Sequence, residues 1–318
     1  MDLKKESYPN CTPSPLRITT HTIKSGINAI NNPEKSFKID LVKFAQNLEI
    51  DNEIKYIEYK NNDIIHVKGI NPKNQNKKSS KKGKFYNSLT IITQPENGFY
   101  NNIKLFRNGS ISGTGIKKIE NGEISVGIIL ERIKNISEQI VSIDNNPCIE
   151  NSEISISNYS IALINSDYEI CFDIKRIVLH SLLVNQYKIF SSYEPCIYPG
   201  VNTKYFWNTD YKDNEFPGRC YCTVPCKGNG KGTGNGECKK VTIAIFQSGS
   251  LIITGARSLE QIETAYHFIN GVFETHHEEL RQGKASFIES SEDKLESRPK
   301  NVIYIKRANI VNSPFNIQ

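Results

Sequence analysis

The stretch IFQSGSLIITGAR at residues 245–257 has a counterpart in LFRNGSISGTGIK at residues 105–117. Phe, Gly, Ser, Thr and Gly occupy the same relative places in both, and each place in one lies 140 positions after its counterpart (246 − 106 = 140). Apolar and polar residues alternate on both sides of a glycine-containing turn, a pattern typical of a strand–turn–strand hairpin. The chain therefore contains an internal repeat, which has to be recognised before a fold is assigned.

The segments around these stretches correspond as well, and they predict a strand, a short helix, several strands and a long helix in each half. The long helix of the second half is indicated by apolar residues at three- and four-residue steps from Leu259 to Phe273. Its counterpart after Gly115 contains Gly122 and Gly127, which weaken the prediction for its first half. The other matching segments are strands at 16–23 and 153–164 and short helices at 38–48 and 172–180.

Two such units predict an α+β fold, in which tandem pseudo-symmetric repeats form one curved antiparallel sheet with helices on its convex face. Helices on one face of an antiparallel sheet leave the other face free. Two insertions interrupt the repeats, a lysine-rich one at 71–84 and a cysteine-rich one at 208–240. The predicted order is a flexible arm at 1–14, a first repeat at 15–140, a second repeat at 153–283 and a C-terminal extension at 284–318.

The composition predicts a soluble intracellular protein with a mildly basic charge. The 318 residues are 37% hydrophobic and 23% charged, and the net charge is +6. Apolar runs such as 177–184 fall far short of the roughly 20 residues that a spanning helix needs, and no secretory signal is recognised at the N-terminus. Residues 73–84 hold six lysines and no acid, which is typical of a solvated loop or of a loop that contacts phosphates.

A resemblance to a known family narrows these expectations. SSYEPCIYPG at 191–200 resembles the second stirrup of the TATA-box-binding protein family, and 245–257 resembles the strand pair that follows that stirrup. The stretches 105–117 and 38–48 resemble, more weakly, the same elements of the family's first repeat. The many Ile, Asn and Lys residues and the large insertions resemble the divergent members of large DNA viruses.

The resemblance implies a saddle whose concave face binds the minor groove of AT-rich promoter DNA, bends the DNA with aromatic wedges and recruits a transcription factor IIB-like partner. Phe106, Phe246 and Tyr198 stand at wedge positions, and either Phe85 or Tyr86 is the fourth wedge. The resemblance also assigns residues to the floor of the saddle and to positions that contact DNA phosphates. The residues at floor positions are Arg17, Thr19, Lys104, Ser112, Thr114, Asn158, Ile252 and Thr254, and those at phosphate-contacting positions are Lys117, Lys204 and Arg257.

The first half departs from the family pattern. Arg17 stands where the family has an asparagine, Thr19 and Ser112 where it has valines, and Lys104 where it has a leucine. A more polar and cationic floor holds phosphates more strongly and discriminates bases less. We therefore expect relaxed sequence preference in the half-site that the first repeat contacts.

The resemblance also implies a protein-binding surface on the second stirrup, at Glu194 and Ile197. Glu194 matches a family acid that contacts the transcription factor IIB-like partner, whereas the next family acid is replaced by Cys196. The sequence therefore keeps half of that acidic pair.

Four cysteines within the second insertion lie outside the family pattern and follow the spacing C-x-C-x3-C-x11-C. Four thiolates can hold a structural zinc ion, although no cofactor is required by the fold. Free thiols are the alternative, because no C-x2-C pair is present and residues 227–236 are rich in glycine. The candidate ligands are Cys220, Cys222, Cys226 and Cys238.

No catalytic pattern emerges from the sequence, so an enzyme is not expected. Residues 276–279 lack the histidine spacing of a metalloprotease, and the glycine-rich run is not followed by the Lys-Ser/Thr of a P-loop. Two alternatives remain: a scaffold that keeps the saddle without useful DNA affinity, and a DNA glycosylase, whose helix–hairpin–helix and catalytic acid are not recognised here. We expect the protein in a nucleus or in a cytoplasmic viral factory.

Overall fold

The computed structural model describes residues 12–30, 36–60, 65–72, 87–147 and 154–282. The first half forms strands β1 to β9 and helices α1 to α3. In chain order these are β1 (Arg17–Ala29), β2 (Phe37–Ile39), α1 (Leu41–Asn47), β3 (Ile54–Lys60), β4 (Ile65–Gly69), β5 (Ser88–Glu96), β6 (Phe99–Phe106), β7 (Ser110–Ile116), α2 (Ile119–Lys134), α3 (Ser137–Ile140), β8 (Val141–Ile143) and β9 (Asn146–Pro147).

The second half repeats the main elements of the first without counterparts of β2, β4, β8 and β9, and it carries a different insertion. A short 3-10 turn, Thr209–Tyr211, opens the cysteine-rich insertion. The strands and helices are β10 (Ile154–Glu169), α4 (Arg176–Asn185), β11 (Phe190–Glu194), β12 (Tyr198–Trp207), β13 (Lys239–Ile245), β14 (Ser250–Ala256), α5 (Leu259–Thr275) and α6 (His277–Leu280).

Eleven strands form one antiparallel sheet in the order β11-β12-β13-β14-β10-β1-β7-β6-β5-β3-β4. The order is symmetric about the central β1–β10 pair, because β7, β6, β5 and β3 on one side correspond to β14, β13, β12 and β11 on the other. Strand β4 extends the edge of the first half, and β2, β8 and β9 form a separate small sheet. The predicted α+β fold with two tandem repeats in one antiparallel sheet is confirmed.

The two central strands are longer than the sequence predicts. They pair from Arg17 opposite Asp167 to Ala29 opposite Ile154, with three register shifts on the way. Strands predicted at 16–23 and 153–164 therefore both extend beyond those limits and join the halves through one continuous ladder.

Helices cover one face of the sheet. Helix α2 buries Val126 and Ile129 in the apolar core of the first half, and α5 buries Ile262 and Phe273 in that of the second. Strand side chains alternate between faces, so the residues between the core positions point away from the helices. We call this second surface the open face; among the described residues, no helix packs on it.

A side-chain cap begins helix α1, and glycines form the turns of the two repeated hairpins. Asp40 caps α1 by accepting hydrogen bonds from the amides of Val42 and Lys43, both at 3.1 Å. Gly109 and Gly249, the paired glycines of the repeated stretch, have φ values of 78° and 81°. A side chain at Gly109 would meet the backbone carbonyl of Ile27, and one at Gly249 would meet that of Ile170, which explains why both halves carry glycine there.

Helix α2 runs without interruption through Gly122 and Gly127. A Cβ at Gly122 would lie 2.6 Å from the hydroxyl oxygen of Tyr159, whereas a Cβ at Gly127 would meet nothing within 4 Å. Only Gly122 is therefore required by packing. Among the described residues, none of the helices is both long enough and apolar enough for a membrane span.

Candidate nucleic-acid interface

Two aromatic rings stand together at one end of the open face. Tyr198 begins β12 and Phe246 follows β13, and their ring centroids are 5.7 Å apart with the planes inclined by 59°. Gly200 lies beneath both rings, since a Cβ there would come within 3.0 Å of Tyr198 and 3.1 Å of Phe246. Tyr198 remains 38% exposed. The structure thus brings together the two predicted wedges of the second repeat.

Arg176, at the start of α4, holds the backbone around this pair and was missed by sequence reasoning. Its guanidinium donates to the carbonyl of Pro199 and, at 2.7 Å, to the side-chain oxygen of Gln247. These residues are the immediate neighbours of Tyr198 and Phe246 in the chain. The signal in the sequence was weak, because an arginine at a helix start carries no recognisable motif. Arg176 is a positioning residue for the aromatic pair.

The floor of the second repeat is small and apolar where strands β12, β13 and β14 cross the open face. Asn202 is opposite Ala244, Ala244 is opposite Ile252, and Ile252 is opposite Asp167 on β10. Ile252 is 38% exposed. The predicted floor residue Ile252 therefore lies on the open face, and it lines a cavity of about 780 Å³ together with Phe246, Arg17 and Asp167.

The equivalent row of the first repeat is polar and cationic. Thr90 is opposite Lys104, Lys104 is opposite Ser112, and Ser112 is opposite Lys24 on β1. Positions 104 and 112 correspond to 244 and 252 through the 140-residue repeat, so Lys104 replaces an alanine and Ser112 an isoleucine of the other half. By the same pairing, Lys24 is the counterpart of Asp167. The two halves of the open face thus differ in charge as well as in polarity.

Arg17 does not project free from the first repeat. Its guanidinium makes a two-pronged contact with Asp167, with both nitrogen–oxygen distances at 2.9 Å. Hydrogen bonding to Asp167 and the charge of Asp167 raise the pKa of Arg17. An acid on the other repeat therefore neutralises part of the charge of Arg17, and its role in DNA binding stays a prediction.

The asparagine on the floor of the second repeat is Asn165, not Asn158 as predicted. Asn165 donates to the hydroxyl of Thr20 at 3.0 Å and accepts from Thr254 at 2.5 Å. Asn158 is exposed, has a φ of 51° and lies at a register shift of the β1–β10 ladder. The motif ISNYS suggested Asn158 because the sequence does not reveal that shift.

The remaining predicted floor residues Thr19 and Thr114 lie on β1 and β7, and their role stays a prediction. Thr19 donates to the carbonyl of Asn165 at 3.1 Å, which places its hydroxyl at the junction of the two repeats. Thr114 is exposed at the end of β7, and its hydroxyl is 3.5 Å from the carbonyl of Asn102. Phe106 closes β6 opposite Ser88. Phe85, Tyr86 and the lysines at 73–84 lie outside the described residues.

The predicted phosphate contacts have different surroundings. Lys204 donates to the hydroxyl of Thr242 at 3.0 Å, and burial followed by repulsion from Lys240 lowers its pKa. Arg257 donates to the carbonyls of Asn229 and Gly230, at 3.2 and 3.4 Å, and so contacts the cysteine-rich insertion.

Lys117 is exposed, with its ammonium 5.9 Å from the centre of the Phe99 ring. All three side chains at the predicted phosphate positions are cationic, but their contacts differ. Lys204 and Arg257 donate hydrogen bonds to neighbouring groups, whereas Lys117 is exposed near the Phe99 ring.

The second stirrup is a hairpin between β11 and β12. Glu194 is opposite Tyr198, and the amide of Ile197 donates to the carbonyl of Glu194 at 2.9 Å, which closes a tight turn. Ile197 is 80% exposed, and Glu194 is exposed beside it. The two predicted partner-binding residues therefore form one small surface with an apolar and an acidic side chain.

The four cysteines of the insertion come together. All four Sγ atoms lie within 4.8 Å of one another. The Sγ of Cys238 is 3.8 Å from that of Cys220 and 3.4 Å from that of Cys222. Although burial opposes it, hydrogen bonds from the Gly236 amide and the neighbouring thiols lower the pKa of Cys222 to about 7.

These features define a class: α+β proteins with two repeats in a single antiparallel sheet, covered by helices on one face. The family model described as transcription factor TFIID (or TATA-binding protein, TBP) matches residues 166–276. A TATA-box-binding protein-like protein of Acanthamoeba polyphaga mimivirus is 30% identical over 279 residues, which cover 84% of this chain and 67% of that protein.

Among solved structures, Methanococcus jannaschii TBP aligns with a TM-score of 0.41 and 18% identity, covering 83% of this chain and 99% of that one. On the identity and extent of the mimivirus match, the chain belongs to the TATA-box-binding protein family. It is a divergent member of the family, similar to a viral one, and the family indicates a role in transcription.

Proposed function

We propose that the protein is a transcription initiation factor that binds AT-rich promoter DNA in the minor groove through its open face. The observation that carries this proposal is the pair of Tyr198 and Phe246 at the end of a face that no described helix covers. Flat apolar rings that project from rigid backbone can enter a base step and offset the unstacking, which costs a few kcal/mol. Arg176 supplies the rigidity by holding the residues next to both rings.

The second-repeat floor supports a preference for A·T pairs. Ala244 and Ile252 present small or branched apolar side chains to the open face. In the minor groove, a G·C pair differs from an A·T pair by the exocyclic amine of guanine. A close apolar surface excludes that amine, because it offers the amine no hydrogen-bond acceptor.

The proposed partner is a transcription factor IIB-like protein that docks on the second stirrup. Ile197 is a large apolar side chain 80% exposed at a hairpin turn, and Glu194 supplies charge beside it. A large exposed apolar side chain can serve as an anchor when a partner pocket covers it and excludes water. The proposed site of action is the nucleus or a viral factory, and no catalytic step is involved.

Binding of AT-rich and GC-rich duplexes, followed by fluorescence anisotropy at two salt concentrations, tests the DNA proposal. Phe246→Ala and Tyr198→Ala are expected to weaken AT-rich binding at least tenfold. Ile177→Ala is the matched control, because Ile177 is 74% exposed on α4, on the helix side of the sheet. Equal affinity of wild type and both ring variants, with all proteins folded by circular dichroism, would refute the wedge role.

Ile197→Ala and Glu194→Ala test the partner surface in a pull-down with the transcription factor IIB-like protein of the same genome. Ile70→Ala is the control, because Ile70 is 75% exposed just after β4, at the opposite edge of the sheet. Loss of capture in the two stirrup variants alone is expected. Equal capture by all three variants would place the partner elsewhere.

A second candidate is a protein-interaction scaffold with weak DNA binding. It is favoured by acids on the open face, where Glu58 lies opposite Thr90 and Asp167 opposite Ile252, since carboxylates oppose an approaching phosphate backbone. Absence of binding to any duplex by the folded wild-type protein, combined with capture of the partner through Ile197, would favour the scaffold.

A further inference from the structure

The cysteine-rich insertion between β12 and β13 lacks an apolar core of its own. Across residues 209–237, the buried positions are glycines, and Val224 is 47% exposed. Small segments without a core of their own gain little stability from burial, and in natural proteins they are commonly held by a covalent or metal staple. Yet the insertion has a defined hydrogen-bond pattern, for instance from the Gly232 amide to the Glu237 carbonyl at 2.6 Å.

The sulfur geometry suits a metal rather than a disulfide. A tetrahedral zinc site with bonds of about 2.3 Å places its sulfurs about 3.8 Å apart. The separations from Cys238 to Cys220 and Cys222, 3.8 and 3.4 Å, bracket that value within a few tenths of an ångström. A disulfide requires about 2.05 Å. The fourth thiol, Cys226, completes a set in which every pair lies within 4.8 Å.

Hydrogen-bond donors surround the sulfurs. The Gly236 amide donates to the Sγ of Cys222 at 3.0 Å, and the side-chain amide of Asn208 donates to the Sγ of Cys238 at 3.5 Å. Such outer contacts orient thiolate ligands and offset their negative charge. Lys227 and Lys239 directly follow Cys226 and Cys238 in the chain, which places positive charge next to a site whose four thiolates and zinc sum to −2.

We propose that Cys220, Cys222, Cys226 and Cys238 bind one structural zinc ion. Four protein thiolates fill the tetrahedral positions, so the site is closed and has a structural role. The stapled insertion packs on the second repeat at the end of β12 opposite to Tyr198. There Gly232 lies against the Trp207 ring, and the carbonyls of Asn229 and Gly230 accept from Arg257. The zinc ion therefore orders the surface that positions Arg257.

Metal content and cobalt spectroscopy test this site. Protein purified under reducing conditions is expected to contain one zinc per chain by atomic emission and native mass spectrometry. Cobalt(II) titrated into metal-free protein is expected to give the ligand-field bands of a tetrahedral thiolate site. Cys222→Ser and Cys226→Ser are expected to lower zinc affinity more than tenfold, whereas Cys196→Ser, at an exposed cysteine of the stirrup, leaves it unchanged.

Because a cysteine variant could lose zinc simply by misfolding, thiol alkylation of the wild-type protein provides a second test. Zinc is expected to protect the four thiols of 220–238 from alkylation, and a chelator that strips zinc is expected to expose them. Three outcomes would overturn the proposal: iron in place of zinc, a disulfide among these cysteines in reduced preparations, or alkylation that is equally fast with and without zinc.

Discussion

Arg17 and Asp167 form an ion pair across the two central strands of the open face, so their charges partly cancel there. Without its partner, the arginine would attract a DNA phosphate, and the aspartate would repel it. Because their contact is two-pronged at 2.9 Å and joins the first repeat to the second, the pair also fixes the register at the start of β1. The sequence could not predict this pairing, since the two residues are 150 positions apart.

Asp167→Asn is expected to tighten DNA binding about two- to tenfold, because it removes a carboxylate from the face and releases Arg17 for phosphate. If Arg17 then contacts one phosphate, the slope of log affinity against log salt steepens by about one unit. Duplex titrations over a range of salt concentrations measure both. Arg17→Ala is the opposing control and is expected to weaken binding; weaker binding by Asp167→Asn would contradict this account.

If Lys204 contacts a phosphate as proposed, DNA binding is expected to depend on pH. In the free protein, burial and Lys240 lower the pKa of Lys204, whereas a phosphate beside its ammonium would favour the charged form and raise that pKa. Binding is therefore accompanied by proton uptake, and affinity falls as pH rises from the free-state pKa towards the bound-state pKa. Anisotropy titrations across alkaline pH should show this fall in wild type and a flatter profile in Lys204→Met. Identical profiles would exclude Lys204 from the phosphate contacts.

At the scale of elements, the repeat made the fold predictable. The hairpin motif located β6, β7, β13 and β14, and the apolar spacing located α5. The short helix predicted at 172–180 begins later and ends later, as α4 (Arg176–Asn185). The sequence did not reveal the extension of β1 and β10, because the register shifts that let them continue depend on the opposite strand. Asn158 was misplaced for the same reason. The small sheet of β2, β8 and β9 was missed because strands of two or three residues carry no periodicity.

Helix α2 contains two glycines in different surroundings: Gly122 is tightly packed, and Gly127 has open space around it. Gly127→Ala is expected to stabilise the fold by up to about 1 kcal/mol, because alanine favours helix and nothing lies within 4 Å. Gly122→Ala is expected to destabilise it by about 1 kcal/mol, because the new methyl group would displace the Tyr159 hydroxyl from the carbonyl of Ile119. Urea unfolding measures both; a gain for Gly122→Ala as large as that for Gly127→Ala would contradict the packing.

At the scale of the whole molecule, the two halves share one architecture and differ in the surface that faces a ligand. The first repeat offers Lys24, Lys104 and Ser112, where the second offers Asp167, Ala244 and Ile252. The resemblance to the family predicted from sequence that positions 104 and 112 are unusually polar. The Lys24–Asp167 correspondence required the strand pairing.

This asymmetry predicts unequal reading of the two half-sites. Single base-pair substitutions from A·T to G·C across the site are expected to cost more in the half under the second repeat, by about 1–3 kcal/mol per position. Lys104→Ala with Ser112→Ile should tighten discrimination in the other half, because it restores an apolar floor. A competition scan measures both, and equal penalties in the two halves of the wild-type site would contradict the prediction.

The central claim is that the open face reads DNA from the minor groove, and replacing A·T pairs by inosine·cytosine pairs tests it most directly. An inosine·cytosine pair lacks the guanine amine and so keeps the minor groove of A·T, while its major groove resembles that of G·C. In a single anisotropy series with matched A·T, inosine·cytosine and G·C duplexes, we expect the first two to bind alike and the third to bind at least tenfold more weakly. Inosine·cytosine binding as weak as that of G·C would contradict the account.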